Sequence, residues 1–309
     1  MQTILPRVRG TYVLITHNSD YSSPDMQTDK WHMAFPPSTS STLIKEFEKG
    51  RLLALHAQNS WWLGYDRIDV AEVIQEDVIL TRYPQAPKPP YLHCLPIGIE
   101  CRYSKIGAHP RVYANRLFES LQRPPMTIEE RSSLPLLLIA FHPIGYAPDR
   151  EKVLRIINDG PHRDSKVFYN FTELSHHKWL DAITEHKFVL IPFGNGLDTI
   201  RLYEVLIMGG IPVTRRSSIS SCYDDSDNVI GNSSRASLPI VILDSWSDLS
   251  KSRLDMEWER LIRIPNENWE WKRLLVYSWI DRIISSAGRS LADLPGTLTP
   301  RVPFTRSRG

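Results

Sequence analysis

Arg201 and Glu204 stand three residues apart in a stretch without helix breakers, a spacing that puts both side chains on one helix face. Near a helix start, an arginine fork can meet a diphosphate with two parallel hydrogen bonds. A carboxylate one turn further on can accept protons from two ribose hydroxyls. The bland alternative is a surface ion pair worth about 0.2–0.5 kcal/mol. Just upstream, Phe193-Gly194-Asn195-Gly196-Leu197 forms a glycine loop, and Asp198 follows as a good N-cap residue. Small residues let a ligand approach the backbone, and the free N–H groups of a helix start favour phosphate. A tight strand-to-helix turn is the competing reading of the same glycines.

These residues need a strand before them and a helix beneath them. The run 187–192 is apolar and β-rich, as a buried parallel strand should be. From 199 to 208 nothing breaks a helix, and Leu202, Val205 and Leu206 recur at helical spacing. Gly209-Gly210 ends that helix, and 211–213 opens the next strand. Upstream, 134–141 reads as a strand, 142–150 as a loop and 151–158 as a helix. Arg150 and Lys152 at that helix start either neutralise a diphosphate or are solvated charges. Further elements are a strand over 166–171, a helix over 175–185 and a strand over 238–243. The alternation predicts an α/β fold with parallel sheets.

The motif PFGNGLDTIRLYEVLIMGGIPV, preceded by HKFVL and followed by LPIVILDSW, resembles the donor-binding segment of exostosin-like glycosyltransferases. The resemblance is densest over 134–261. It implies two Rossmann-like domains facing a cleft (the GT-B type), with a nucleotide sugar held by the C-terminal one. It also implies roles: Gly194, Asn195 and Gly196 for close backbone approach, Arg150 and Arg201 for the diphosphate, Glu204 for the ribose. Asp198 caps the helix and also stands near the donor. A uridine diphosphate sugar, an inverting reaction, a hydroxyl acceptor on a glycan and no divalent metal follow from the resemblance alone.

In the N-terminal half, 11–16 reads as a first buried strand running into His17-Asn18-Ser19-Asp20. Polar groups at that end of a strand lie where open α/β sheets place ligands, although an Asx-type turn explains them equally. HNSD resembles a loop of the family, which makes Asp20 and His17 the candidate bases for deprotonating the acceptor, with Glu100 in reserve. A helix is expected over 43–49 and a strand over 51–56; the LPIGIE run at 95–100 also resembles the family. Arg123-Pro124-Pro125 breaks the chain, and the domains are expected at 1–130 and 131–288, with a loose basic tail over 289–309. Trp258, Trp269, Trp271 and Trp279 are expected to pack a C-terminal helix back across both domains.

The 309 residues suit two ordinary domains, and a net charge of +2 gives no strong bias toward nucleic acid or a membrane surface. No apolar run approaches a membrane span, and no signal-peptide core is visible at the start. The three cysteines, Cys94, Cys101 and Cys222, make no even framework and suit a reducing compartment. The expectation is a cytoplasmic protein; a Golgi-type location would need a truncated chain.

Competing chemistry is limited. His162-Arg163-Asp164 lacks the kinase asparagine, since Tyr169 stands where it belongs. Asp225-Ser226-Asp227 has the form by which metal-dependent (GT-A) transferases hold a cation, but it sits in a serine-rich insertion without a preceding strand. His176-His177 lacks the helix-spaced partners of a zinc site. Two function classes follow: a transferase using a nucleotide sugar, and a non-catalytic module that binds nucleotide sugar or glycan.

Overall fold

The computed structural model describes residues 7–16, 23–24, 38–58, 60–61, 92–99, 112–113, 115, 128–141, 148–159, 168–170, 174–194, 197–217, 219–223 and 237–288. It is an α/β fold with two main parallel sheets. In the first, β1 (Tyr12–Thr16) and β5 (Leu92–Cys94) flank β3 (Leu52–Ala57). Helix α1 (Ser38–Glu48) covers it, and Gly50, at φ +68°, turns the chain from helix to strand. Leu43, Leu52, Leu55, Ala57 and Leu92 form its core. A two-residue ladder pairs β2 (Ser23–Pro24) with β4 (Ser60–Trp61).

The second sheet holds β6 (Leu137–Ile139), β7 (Phe168–Asn170), β8 (Phe188–Leu190), β9 (Ile211–Arg215) and β10 (Val241–Leu243) in the order β10-β9-β8-β6-β7. Every pairing is parallel. Both faces of the central strands are covered, which is why β6 and β8 are apolar throughout rather than alternating. Leu137, Ile139, Phe188 and Leu190 face one cluster, with Val153 and Ile157 of α3 (Pro148–Asp159) and Leu254, Trp258 and Leu261 of α6 (Lys251–Leu261). Leu138 and Val189 face the other, with α4 (His176–Thr184), α5 (Ile200–Ile207) and Trp279 of α7 (Val276–Ser285). The short helix α2 (Ile128–Ser133) precedes β6.

The second cluster does not stop at its own sheet. Cys94 and Tyr113 are buried within it, and Leu95, Ile97 and Ile99 pack against it. At the far end, Ser286 follows α7 and meets His56 of β3 at 2.9 Å. Cys94 and Cys222 form a disulfide, a pairing that the odd cysteine count did not show, with Cα atoms 5.6 Å apart and a sequence separation of 128. The pair joins the end of β5 to the 3₁₀ turn Ser220–Cys222, a proximity set by the packing of the two sheets. Among the described residues no helix is long and apolar enough to cross a membrane.

Candidate functional site

In the second sheet the strand order reverses between β6 and β8, and open α/β sheets bind ligands beyond the carboxyl ends of strands at such a point. The segments leaving those two strands are Ala140-Phe141 and 191–194. Both carry a cation. Arg201, in the first turn of α5, donates from Nη1 to the carbonyl of Ala140. Arg150, in the first turn of α3, donates from Nε to the carbonyl of Phe193 at 3.1 Å. The two predicted arginines, 51 positions apart in the numbering, thus anchor on neighbouring strand ends.

Their surroundings are partly dry. Burial, then the positive charge of Arg201, lowers the pKa of the Arg150 guanidinium, with Asp149 opposing. Burial likewise lowers that of Arg201, with Glu204 opposing. Arg201 as a residue is exposed, while its guanidinium lies on the Trp179 ring and bonds the Ala140 carbonyl.

Asp149 fixes this edge, although in the sequence it stands only near the end of the 142–150 loop. Its side chain is buried and accepts from the Phe193 N–H at 3.0 Å, the Trp246 indole at 2.8 Å and Arg215 Nε at 3.0 Å. Neighbouring residues of α3 therefore hold both backbone polar groups of Phe193, the N–H by Asp149 and the carbonyl by Arg150. Gly194 follows directly. A Cβ added there would lie 3.6 Å from Arg150 Nη2 and 3.7 Å from Thr199 Cγ2, ordinary contacts, and its φ is not left-handed. The fold itself tolerates a side chain at this position.

The helix start differs from expectation. Thr199, not Asp198, is the N-cap of α5, and its hydroxyl makes no cap hydrogen bond. Thr199 Oγ1 is buried without a hydrogen-bond partner. Asp198 is turned inward instead. It accepts from Ile97 N–H and from the hydroxyls of Tyr203 and Tyr223, each at 2.8 Å, and from Thr199 N–H at 2.9 Å. Burial pushes its pKa up to about 6 against those four bonds. The physical reason is that two tyrosines and the 95–99 segment converge where an exposed cap was expected.

Glu204 is buried as well, which removes the surface-pair reading. Its Oε1 accepts from Tyr113 at 2.6 Å and from His176 Nε2 at 3.0 Å, and its Oε2 from the Trp179 indole at 2.7 Å. Burial pushes its pKa up, but the bonds from His176, Tyr113 and Trp179 outweigh that and hold it below the usual value. An ionised carboxylate is an acceptor only, so His176 must present its Nε2 proton. The histidine pair, read from the sequence only as lacking the partners of a zinc site, supplies one member of this cluster, His176. Arg201 lies over the Trp179 ring at 4.9 Å, which links the arginine to the Glu204 cluster.

Gly194, Arg150 and Arg201 thus meet at one sheet edge, with Asp198 turned inward just before α5 and Glu204 one turn into it. His17, Asp20, Glu100, Asn195, Gly196, Asp225 and Asp227 lie outside the described residues. Among the described residues no group of three or more His, Cys, Asp and Glu could hold a metal ion. No family model matches the chain, and no curated protein matches it.

Proposed function

We propose that the chain is a glycosyltransferase of the GT-B type, moving a sugar from a uridine diphosphate sugar to a hydroxyl acceptor on a glycan, with inversion and without a divalent metal. The observation that carries this reading is the pair Arg150 and Arg201 on the ends of β8 and β6, beside Gly194, where the strand order reverses. Two partly desolvated guanidiniums at one point favour a doubly charged ligand, and a diphosphate can take a fork from each. The unpartnered Thr199 hydroxyl and the first N–H groups of α5 add donors at the same place. Nucleoside diphosphate is also the leaving group of such a reaction, so the charge that binds the donor stabilises the transition state. Glu204 supplies the ribose acceptor. His17 and Asp20, which follow β1 in the sequence, are the candidate bases for the acceptor hydroxyl.

The test is a thermal-shift panel of nucleoside diphosphates and nucleotide sugars, with EDTA and with Mn²⁺, followed by a transfer assay with the nucleotide sugar that shifts most. A shift with UDP in EDTA, together with sugar transfer, supports the proposal. A shift without transfer to any acceptor supports a nucleotide-sugar-binding module. A shift that needs Mn²⁺ moves the donor site to Asp225 and Asp227, and no shift at all removes the donor-site reading.

A further inference from the structure

We propose that His176 accepts the second ribose hydroxyl of the nucleotide and thereby sets a preference for ribose over deoxyribose; this rests on the donor-site reading above. A carboxylate offers about four lone-pair positions, two on each oxygen. Glu204 Oε1 is filled by Tyr113 and His176, and Oε2 already holds the Trp179 indole. One position remains, enough for one of the two vicinal hydroxyls of a ribose. The other hydroxyl needs an acceptor beside it.

His176 fits that need. In the neutral imidazole that gives its Nε2 proton to Glu204, Nδ1 keeps its lone pair and faces away from the carboxylate. Its side chain is 25% exposed, against 6% for that of Glu204, so it is the member of the pair open toward solvent. It opens α4, whose N-terminus lies at the same sheet edge as that of α5, and Trp179 one turn on carries both the Glu204 bond and the Arg201 stack. The Tyr113 ring stands edge-on to His176 at 5.6 Å and fixes the imidazole plane.

The experiment compares UDP, 2′-deoxy-UDP and 3′-deoxy-UDP by calorimetry on the full chain and on His176→Ala and His176→Asn. Melting temperature confirms that each variant is folded, and His176→Asn keeps the measurement usable if His176→Ala does not fold. The expected result is that wild type binds UDP about tenfold tighter than one deoxy form. Loss of the imidazole then lowers UDP affinity by a similar factor and leaves that deoxy form unchanged. Equal losses for all three nucleotides, or no loss for any, would overturn the assignment. Failure of the wild-type chain to bind UDP or either deoxy form would remove the donor site itself, a different failure from an equal loss in the variants.

Discussion

The indole N–H of Trp179 is donated to Glu204 at 2.7 Å, while the face of the same ring lies 4.9 Å from the Arg201 guanidinium. One side chain thus positions the two charges first expected to act together on their own. Trp179→Phe keeps a ring under Arg201 and removes the donor to a buried carboxylate. Bonds to charged groups contribute about 1.5–3 kcal/mol, so a urea titration is expected to show destabilisation in that range. An unchanged midpoint would mean that Tyr113 and His176 hold Glu204 by themselves.

Asp198 makes stability depend on pH in a direction opposite to that of most carboxylates. Its pKa is raised from 3.8 to about 6, so the folded protein holds a proton that the unfolded chain has released. Its contribution is fully present below pH 3.8 and is lost as pH rises through about 6. The difference of about two pH units, at about 1.4 kcal/mol each, corresponds to about 3 kcal/mol. Glu204 works the other way: its lowered pKa contributes stability that is lost as pH falls through its folded value. The measurement is therefore the stability of wild type minus that of Asp198→Asn, followed from pH 4 to pH 7. A gap that shifts against the variant at low pH is expected; a flat gap would mean that Asp198 stays ionised throughout.

The glycines of the central motif separate by structural role. A Cβ at Gly210 would stand 2.7 Å from Ile183 Cγ2 and 2.9 Å from Val205 Cγ1, so Gly210→Ala overpacks the contact between α4 and α5. A cost of about 1–3 kcal/mol is expected in chemical denaturation. Gly209, at φ +79° with open space, is needed only for its left-handed turn, and Gly209→Ala should cost about 1–2 kcal/mol. Gly194→Ala meets only ordinary contacts, so its stability is expected to stay within about 0.5 kcal/mol of wild type. Weakened UDP binding in that stable variant would mark Gly194 as ligand-facing, and unchanged binding would mark it as a turn residue.

Much of the second sheet was legible because its information is local. Apolar runs gave β6 and β8, the unbroken stretch after Thr199 gave α5, and Gly209-Gly210 gave its end. The three-residue spacing of Arg201 and Glu204 likewise placed both on α5. What escaped was long-range. Glu204 reads as a surface acid on a helix until Tyr113, 91 positions away, supplies its buried donor. Asp149 reads as one acid in a loop until Trp246, 97 positions away, bonds to it. Asp198 left its capping position because Ile97, Tyr203 and Tyr223 offer donors inside the protein, and Thr199 took the cap. Local pattern carries no record of such partners.

The disulfide tests how far the two sheets rely on a covalent tie. Cys94 and Cys222 are 128 residues apart, and closing a loop of that size in the unfolded chain stabilises the fold by about 4–5 kcal/mol in the chain-entropy account. Alkylation of the unfolded protein before reduction should label one cysteine of the three, Cys101, and after reduction all three. Cys222→Ser, or reduction with a dithiol, is expected to lower the melting temperature by several degrees or more. Three labelled cysteines without reductant would show that the pair is not bonded in the isolated protein.

Arg201→Lys is the sharpest test of the donor site, because it keeps the charge and removes the fork. Arg201 has to reach the Ala140 carbonyl, lie over Trp179 and still offer N–H groups beyond the strand ends. A lysine ammonium is a compact point charge that cannot make these contacts together. Lost charge-assisted bonding of about 1.5–3 kcal/mol corresponds to roughly a tenfold to hundredfold weaker affinity. UDP affinity is therefore expected to fall by that factor in Arg201→Ala and by nearly as much in Arg201→Lys. Arg150→Ala should weaken UDP by a comparable factor, since it removes the second guanidinium and frees the Phe193 carbonyl that fixes the backbone before Gly194. If calorimetry shows Arg201→Ala binding UDP as tightly as wild type, the arginine only ties α5 to the end of β6. If Arg201→Lys alone retains full affinity, the site reads charge and not geometry.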